Sequence, residues 1–207
     1  MLAFDRDIFF KDLQQRTGLA PKPAAKDGLN LLLDDFDGDA GFTQIRDLAY
    51  VLATVRWETG QTFQPVKEKR ASRDKNPRLW EIQNRYWSSG FFGRGYVQIT
   101  WENNYQKAGE RLVGTAFTLA SGKLTLQADT LVKQPELVLE PSIAYAIAAR
   151  GMREGWFTGK KLSDFIQDGK PPDYVNARKI INGLDQAQTL ATYATGFELV
   201  LRAATSS

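Results

Sequence analysis

Apolar side chains recur at intervals of three and four residues along much of this chain, and glycine, proline, asparagine and aspartate punctuate the pattern. That spacing gathers the apolar side chains on one face of a helix and predicts a mainly α-helical protein. The chain has no internal repeat, and its 207 residues suit a single domain spanning 1–207. The helical pattern covers residues 5–16, 25–33, 43–58, 103–112, 141–153, 173–181 and 190–201.

Other stretches lack a clear helical pattern. Residues 60–92 carry many charges, and Pro65 and Pro77 limit helix length there, so an irregular, solvent-facing lobe is predicted. Residues 114–130 are expected to form either a β-rich excursion or a loop. No function is assigned to residues 106–140.

The acidic run that begins at Asp34 has the composition of a calcium loop but not its spacing. An EF-hand loop starting at Asp35 requires glycine at its sixth position and glutamate at its twelfth. The chain has Ala40 and Arg46 at those positions. We therefore expect a polar loop before the next helix, and no metal site.

The sequence contains neither histidine nor cysteine. Ser-His-Asp triads and Cys-His dyads are thereby excluded. Zinc is not expected either, because it prefers imidazole and thiolate ligands. Acid-base chemistry near neutral pH is left to glutamate and aspartate, provided that their environments separate their pKa values. No cofactor is expected.

Charge and hydropathy narrow the choice of partners. With 27 basic and 24 acidic side chains the formal net charge is +3, which suits a polyanion such as a bacterial cell wall or nucleic acid, or serves solubility alone. Because the basic residues form no run of five or more, nucleic acid is not the expected partner. Charges interrupt the apolar residues of the N-terminus, and no apolar stretch reaches about 18 residues. We therefore expect a protein made in the cytoplasm, without a signal peptide or a membrane span.

Glu58 ends the helix predicted for residues 43–58. On a helical wheel it lies beside Val51 and Val55, at the edge of the apolar face. A carboxyl group there is partly desolvated, which raises its pKa and prepares it to carry a proton at neutral pH. The alternative is an ordinary glutamate at a helix end, whose stem lies on apolar surface while its carboxylate reaches water.

Two glycines bracket Arg94 within residues 91–101, and the side chains that follow alternate between apolar and polar. Glycine permits a tight backbone passage, and alternation is typical of a strand. A tight turn followed by a short extended segment is therefore predicted. Arg94 is expected to pair with a buried carboxylate.

Several motifs occur in a fixed order along the chain. They are Trp57-Glu58-Thr59-Gly60, Glu68 ten residues after Glu58, the segment from Tyr86 to Trp101 with its Phe-Gly-Arg-Gly-Tyr-Val-Gln-Ile-Thr core, and Ile180-Ile181-Asn182-Gly183. Together they resemble the family 19 glycoside hydrolases, which comprise chitinases and related phage endolysins of the lysozyme-like superfamily. The resemblance covers most of the chain. It implies an α+β lysozyme-like fold, a helical bundle-like domain with a small β-hairpin lobe beside the substrate cleft.

The resemblance also implies roles for two carboxyl groups. Glu58 matches the general acid that protonates the glycosidic oxygen, and Glu68 matches the general base that activates water on the opposite face of the sugar. Inverting glycosidases separate two such groups by about 6.5–9.5 Å to leave room for that water. Trp57 stands where many family members have histidine.

The assignment of the base has two alternatives, one of which is that Glu68 is an ordinary solvated charge among Lys67, Lys69 and Arg70. The other is Glu81, a rival for the role of base, because some plant members carry their base further along the chain. Glu68 is preferred, since its distance to the glycine-bracketed turn matches the family better. Its neighbours Lys67, Lys69 and Arg70 are expected to keep it ionised.

Four further residues match supporting positions in the family. Thr100 matches the serine or threonine that helps to hold the attacking water, or else is an ordinary strand threonine. Gln98, Asn104 and Asn182 match amides that hydrogen-bond sugar hydroxyls and acetamido groups. Asn182 is equally well explained as a helix C-cap before Gly183.

The resemblance thus implies a metal-independent, inverting glycosidase that cleaves β-1,4 bonds in a polymer containing N-acetylglucosamine. Bacterial peptidoglycan is the expected substrate, and the expected setting is that of a phage-type endolysin acting on the wall after release. The alternatives are a chitinase acting on chitin oligomers and a catalytically silent wall-binding protein of the same fold. A polysaccharide is the expected partner, and the protein is expected to be a monomer.

Overall fold

The structure is a computed structural model that describes residues 2–205. Helices dominate, which confirms the prediction of a mainly α-helical protein. Within the described range, no helix combines the length and the apolar character needed to cross a membrane. The α-helices are α1 (Arg6–Thr17), α2 (Pro23–Gly38), α3 (Ile45–Glu58), α4 (Pro77–Asn84), α5 (Glu102–Arg111), α6 (Thr130–Lys133), α7 (Pro141–Glu154) and α8 (Ala187–Ala204). The strands are β1 (Val66–Lys67), β2 (Arg94–Gly95), β3 (Ala116–Leu119) and β4 (Gly122–Thr125), and short 3₁₀ helices cover Trp87–Ser89, Pro135–Leu139, Leu162–Asp164 and Asn176–Ile180.

The apolar periodicity locates most of the long helices. Helices α1, α3, α5, α7 and α8 each begin and end within about three residues of the predicted positions. Asp5 caps α1 by accepting a hydrogen bond from the Ile8 N–H at 2.9 Å, and Gly18 ends it in the left-handed region.

Helix α2 is longer than predicted. It continues to Gly38, so the polar loop expected from Asp34 is wrong. Phe36 is buried and extends the apolar face of the helix by another turn. Arg6 pairs with Asp34 at 2.6 Å and with Asp37 at 2.8 Å, which offsets the cost of aspartates at a helix C-terminus.

Three other segments can be compared with the secondary structure predicted for them. The helix predicted over 173–181 is only the 3₁₀ helix Asn176–Ile180, where the Arg178 N–H bonds to the carbonyl three residues back. Residues 60–92 are more regular than the expected lobe, since they contain β1, α4 and a 3₁₀ helix. Residues 114–130 contain the β3–β4 hairpin, so the β-rich alternative is the one found.

The first of two compact units comprises Met1–Gln64 and Ala148–Ser207. Helix α3 is central to it, because residues 48–56 are all buried. Helix α8 packs against both α3 and α1. The rings of Phe63 and Phe197 meet edge to face with centroids 6.2 Å apart. The helix that carries Glu58 is therefore enclosed along most of its length.

Two glycines permit close backbone approach in this unit. A Cβ atom at Gly196 in α8 would lie 2.6 Å from the carbonyl oxygen of Arg16 in α1. Gly28 in α2 packs in the same way against the carbonyl oxygen of Phe63. Both helices approach their neighbours more closely than a larger residue would allow.

The second unit, Pro65–Ile147, contains both sheets. Strands β1 and β2 pair antiparallel, with Val66 opposite Gly95 and Lys67 opposite Arg94. Strands β3 and β4 form an antiparallel hairpin, and α5 packs against α6. The β1–β2 pairing holds the residue that follows β1, Glu68, beside the glycine-bracketed arginine.

Gly28→Ala is expected to destabilise the first unit. The added methyl group would strike a backbone oxygen that cannot rotate away, and such overpacking costs about 1–3 kcal/mol. That cost is expected to exceed the gain in helix propensity, which is at most about 1 kcal/mol. Gly38→Ala in the same helix is the control, because nothing lies within 4 Å of its Cβ position. Urea denaturation should show a lower free energy of unfolding for Gly28→Ala alone, and equal stabilities would contradict the close contact.

Candidate active site

Glu58 is the last residue of α3, and the chain turns sharply after it. Thr59 is buried, and its hydroxyl donates to the Val55 carbonyl at 2.7 Å while accepting from the Phe63 N–H at 3.1 Å. Gly60 follows at a φ of 59°, a conformation that glycine adopts without strain. The Thr-Gly pair of the motif therefore fixes the helix end that carries the carboxyl group.

Among residues 2–205, Glu58 pairs with one cation, the buried Arg178. Its Oε1 accepts from Nη1 of Arg178 at 2.8 Å, and the exposed fractions of the two side chains are 16% and 3%. Arg178 is held in turn by a hydrogen bond from its Nε to the Asp185 carbonyl at 3.1 Å. The ion pair lies within the first unit and joins residues that are 120 positions apart.

Burial raises the pKa of Glu58 above its ordinary value, although the neighbouring Arg178 acts in the opposite direction. Desolvation prevails because the carboxyl group is largely withdrawn from water and one cation compensates for only part of the loss. The side chain is thus as desolvated as its place at the edge of the apolar face predicts. A carboxyl group of raised pKa holds its proton closer to neutral pH, as a general acid must.

Asn182 belongs to the surroundings of Arg178. Its backbone N–H donates to the Arg178 carbonyl at 3.1 Å, and its Oδ1 accepts from the Gly183 N–H at 2.8 Å. The residue is exposed, and Ile181 rather than Asn182 caps the preceding 3₁₀ helix. The side-chain nitrogen of Asn182 has no acceptor within residues 2–205, so it can donate to a ligand.

Glu68 follows β1 in the second unit and is surrounded by hydrogen-bond donors. Its Oε1 accepts from Nε2 of Gln83 at 2.9 Å and from the Tyr86 hydroxyl at 2.8 Å, and its Oε2 accepts from the Gly93 N–H at 2.9 Å. Burial raises the pKa of Tyr86, and the carboxylate beside it does the same, so the phenol remains a donor. The arrangement suits an ionised carboxylate, which can only accept.

The cations beside Glu68 in the sequence contact other groups. Lys67 pairs with Glu136 at 3.1 Å, and the guanidinium of Arg70 lies 5.0 Å from the ring centroid of Trp87. Across the described part of the chain, no ion pair reaches Glu68. Its direct contacts come from neutral donors and not from the neighbouring cations.

The two glycines of the turn are required by different contacts. A Cβ atom at Gly93 would lie 2.8 Å from Oε1 of Gln98 and 3.3 Å from Oε2 of Glu68. A larger residue would therefore disturb the backbone donor that Glu68 uses. Gly95 has a φ of 84°, and a Cβ atom there would lie 3.0 Å from Val138.

Arg94 is buried between these glycines and joins several parts of the second unit. Its Nη2 lies 2.7 Å from Oε1 of Glu136, and its Nη1 donates to the Tyr105 hydroxyl at 2.9 Å. Arg94 lowers the pKa of Glu136 below its ordinary value. Arg94 pairs with a carboxylate as expected, but that carboxylate is not buried, because 56% of the Glu136 side chain is exposed. Glu136 also forms an ion pair with Lys67.

Hydrogen bonds connect the other predicted residues of the second unit. Nε2 of Gln98 donates to the carbonyls of Val66 and Gly95 at 2.8 and 2.9 Å. The Thr100 hydroxyl donates to the Gln98 carbonyl at 3.1 Å, and Nδ2 of Asn104 donates to the Thr100 carbonyl at 2.6 Å. Gln98 has a φ of 54°, a conformation that costs a non-glycine residue about 1–3 kcal/mol. Its Oε1, Oδ1 of Asn104 and the Thr100 hydroxyl oxygen accept no hydrogen bond from residues 2–205 and can accept one from a ligand.

Glu81, the alternative second carboxylate, has different surroundings. It lies exposed on α4, and none of the described residues donates a hydrogen bond to its side chain. Glu68 has three donors, so the local surroundings favour Glu68. In the same part of the chain, residues 2–205, no cluster of acidic side chains could hold a metal ion.

The structure therefore groups the predicted residues by compact unit. Around Arg178 in the first unit lie Glu58 and Asn182, and around the Gly93 turn in the second lie Glu68, Gln98, Thr100 and Asn104.

The sequence analysis does not identify three residues that contact the predicted carboxyl groups: Arg178, Gln83 and Tyr86. Arg178 gives no local signal, because it is 120 positions from Glu58. Gln83 is buried within α4, a position that a hydrophobicity pattern assigns to an apolar residue. Tyr86 is the first residue of the motif from Tyr86 to Trp101, so its place in that motif is a signal that could identify it as a site residue.

Compared with protein-family models, with curated proteins and with solved structures, the chain matches none. The features of the chain that bear on function are therefore the buried carboxyl group of Glu58 and the hydrogen-bond donors around Glu68.

Arg178→Gln is expected to raise the pKa of Glu58 further, because it removes the cation that opposes desolvation. Lys179→Gln is the matched control, since Lys179 bonds to Asn176 and not to Glu58. The pKa can be followed by NMR of the Glu58 side-chain carboxyl carbon across a pH titration. An unchanged pKa in Arg178→Gln would show that the ion pair does not influence the carboxyl group.

Proposed function

We propose that this protein is a family 19-like inverting glycosidase that hydrolyses β-1,4 bonds of bacterial peptidoglycan, in the manner of a phage endolysin. The observation that carries the proposal is the contrast between the two carboxyl groups. Glu58 is buried and has a raised pKa, whereas Glu68 accepts three hydrogen bonds. Glycoside hydrolysis by inversion needs one carboxyl group protonated and the other ionised.

Glu58 is the proposed general acid. In its protonated form it gives its proton to the glycosidic oxygen as the bond to the leaving sugar breaks, and it becomes a carboxylate. Arg178, at 2.8 Å, is placed to stabilise the negative charge that develops there. The arginine thus keeps the proton transferable, because burial alone would make Glu58 too weak an acid.

Glu68 is the proposed general base. It takes a proton from water, whose oxygen attacks the anomeric carbon on the face opposite the leaving group. The hydrogen bonds from Gln83, Tyr86 and Gly93 fix its carboxylate in one orientation. The Thr100 hydroxyl is proposed to help hold the attacking water, and the free polar atoms of Gln98, Asn104 and Asn182 to bind sugar hydroxyl and acetamido groups.

Glu58→Gln and Glu68→Gln are expected to lower glycosidase activity by about 100- to 10,000-fold, because each removes one proton-transfer group. Glu81→Gln is the matched control and should keep wild-type activity. The measurement is mass spectrometry of the products released from purified peptidoglycan and from chitin oligosaccharides, with folding checked by circular dichroism.

The products separate the possible outcomes. Muropeptides from wild type and Glu81→Gln, but not from the other two variants, would support the proposal. Chito-oligosaccharide cleavage without muropeptides would identify a chitinase instead. Binding to both polymers without cleavage would leave a catalytically silent wall-binding protein, and full activity of Glu58→Gln would contradict its role as the acid.

The pH profile gives a second test of Glu58. An acid must be protonated to act, so kcat/KM should fall as the pH rises through the raised pKa of Glu58. Arg178→Gln should move this alkaline limb to higher pH while lowering the maximal rate, whereas Lys179→Gln should leave it in place. A limb that stays where it is in Arg178→Gln would mean that another group controls the profile.

A further inference from the structure

The positive charge of the chain is concentrated in one segment of the second unit. Residues 66–87, here called the basic segment, contain seven basic and three acidic side chains. The remaining residues contain 20 basic and 21 acidic side chains. The net charge of +3 is therefore a local property of the basic segment, and the rest of the chain is close to neutral.

Most cations of the basic segment are exposed and lack an acidic partner. Lys67 is paired with Glu136. Within residues 2–205 the other six form no ion pair, so their charges are free to meet an external anion. These six are Lys69, Arg70, Arg73, Lys75, Arg78 and Arg85.

Aromatic rings orient two of these cations. Arg70 lies 5.0 Å from the ring centroid of Trp87 and 5.9 Å from that of Trp80, and Arg73 lies 5.1 Å from that of Trp80. Arg70 is also hydrogen-bonded to Asn84. A guanidinium held over an indole ring loses less side-chain freedom when it binds an anion.

Helix α4 displays its apolar residues on the same segment. Leu79 and Ile82 are 38% and 43% exposed, whereas Gln83 is buried. Gln83 is turned inward because its amide bonds to Glu68, to the Lys69 carbonyl and to the Ala71 N–H. The exposed surface of α4 therefore carries one cation, Arg78, one anion, Glu81, and two apolar side chains, and the other free cations of the basic segment lie on the chain before and after this helix.

We propose that the basic segment binds the carboxylates of the peptide-substituted glycan of the bacterial wall and thereby selects an anionic polymer over neutral chitin. This inference rests on the proposed function and names the substrate class for it. A glycan strand that reaches Glu68 also meets the basic segment, because Glu68 belongs to that segment. A neutral polymer would leave six cations without partners. Nucleic acid is the poorer match, since guanidinium groups lie over Trp80 and Trp87, where bases would stack.

The test uses the full chain carrying Glu58→Gln, so that bound wall is not digested. In this background, Arg73, Lys75, Arg78 and Arg85 are changed together to glutamine. The matched control changes four exposed cations outside the basic segment, Lys11, Lys22, Lys123 and Lys160, to glutamine. Both sets lower the net charge by the same amount. Binding is measured on peptidoglycan stripped of phosphate polymers, on the same material with its carboxyl groups amidated, on chitin and on duplex DNA.

The parent should bind native peptidoglycan in a salt-sensitive manner, and the basic-segment variant should bind about tenfold more weakly at low salt. The control should stay within about twofold of the parent, because its cations lie elsewhere. Amidation should reduce binding of the parent to about the level of the basic-segment variant, and comparing the parent on native and on amidated peptidoglycan needs no change to the basic segment.

Three results would overturn the inference. They are equal weakening of both variants, unchanged binding to amidated peptidoglycan, and tighter binding to DNA than to peptidoglycan through the same four cations. Muropeptide release by protein with intact Glu58 is assayed in parallel and tests the proposed function alone. Release with unaltered binding of the basic-segment variant would refute only the inference, and carboxylate-dependent binding without release would refute only the glycosidase.

Discussion

The burial of a carboxyl group at the end of α3 is the constraint on which the local structure of the first unit depends. Residues 48–56 of this helix are enclosed by protein, so the side chain that ends it is drawn out of water as well. A buried carboxyl group must be paired or protonated. Arg178 pairs with Glu58. The arginine belongs to the 3₁₀ helix Asn176–Ile180, and its Nε donates a hydrogen bond to the Asp185 carbonyl, which holds the side chain in place. Such a pair adds little net stability, because desolvation of both charges consumes most of the attraction. Its effect is on the pKa of Glu58, which burial raises and Arg178 lowers.

In the second unit, the carboxyl group of Glu68 is held by hydrogen bonds and, within residues 2–205, not by an ion pair. Glu68 remains partly accessible, and an amide, a phenol and a backbone N–H are directed at it. These neutral donors fix the orientation of the carboxylate. Glycine is needed at position 93, because a side chain there would displace the Gly93 N–H that donates to Glu68. Glu58 is thus held by burial and an ion pair, whereas Glu68 is held by hydrogen bonds from neutral groups.

The parts of this structure that could be predicted from the sequence are those set by local periodicity. Helices α3 and α8 follow from apolar spacing, and the desolvation of Glu58 follows from its position on the helical wheel. The end of α2 could not be predicted, because the ion pairs of Arg6 make an acidic final turn acceptable. The pairing of Glu58 with Arg178 could not be predicted either. The two residues are 120 positions apart in the sequence, and only the folded chain brings them together. Hydrogen bonds connect Gln98, Thr100 and Asn104 through a turn in which Gln98 has a positive φ. No residue propensity predicts this strained conformation.

Helix α4 exposes apolar side chains and buries a polar one. Leu79 and Ile82 are 38% and 43% exposed, whereas Gln83 is buried. This arrangement costs free energy, because apolar surface is left in water and a polar amide is placed inside. It is tolerated because Gln83 satisfies both ends of its amide, donating to Glu68 and Lys69 and accepting from Ala71. The buried amide of Gln83 thus joins α4 to the segment of residues 68–71 and orients the carboxylate of Glu68.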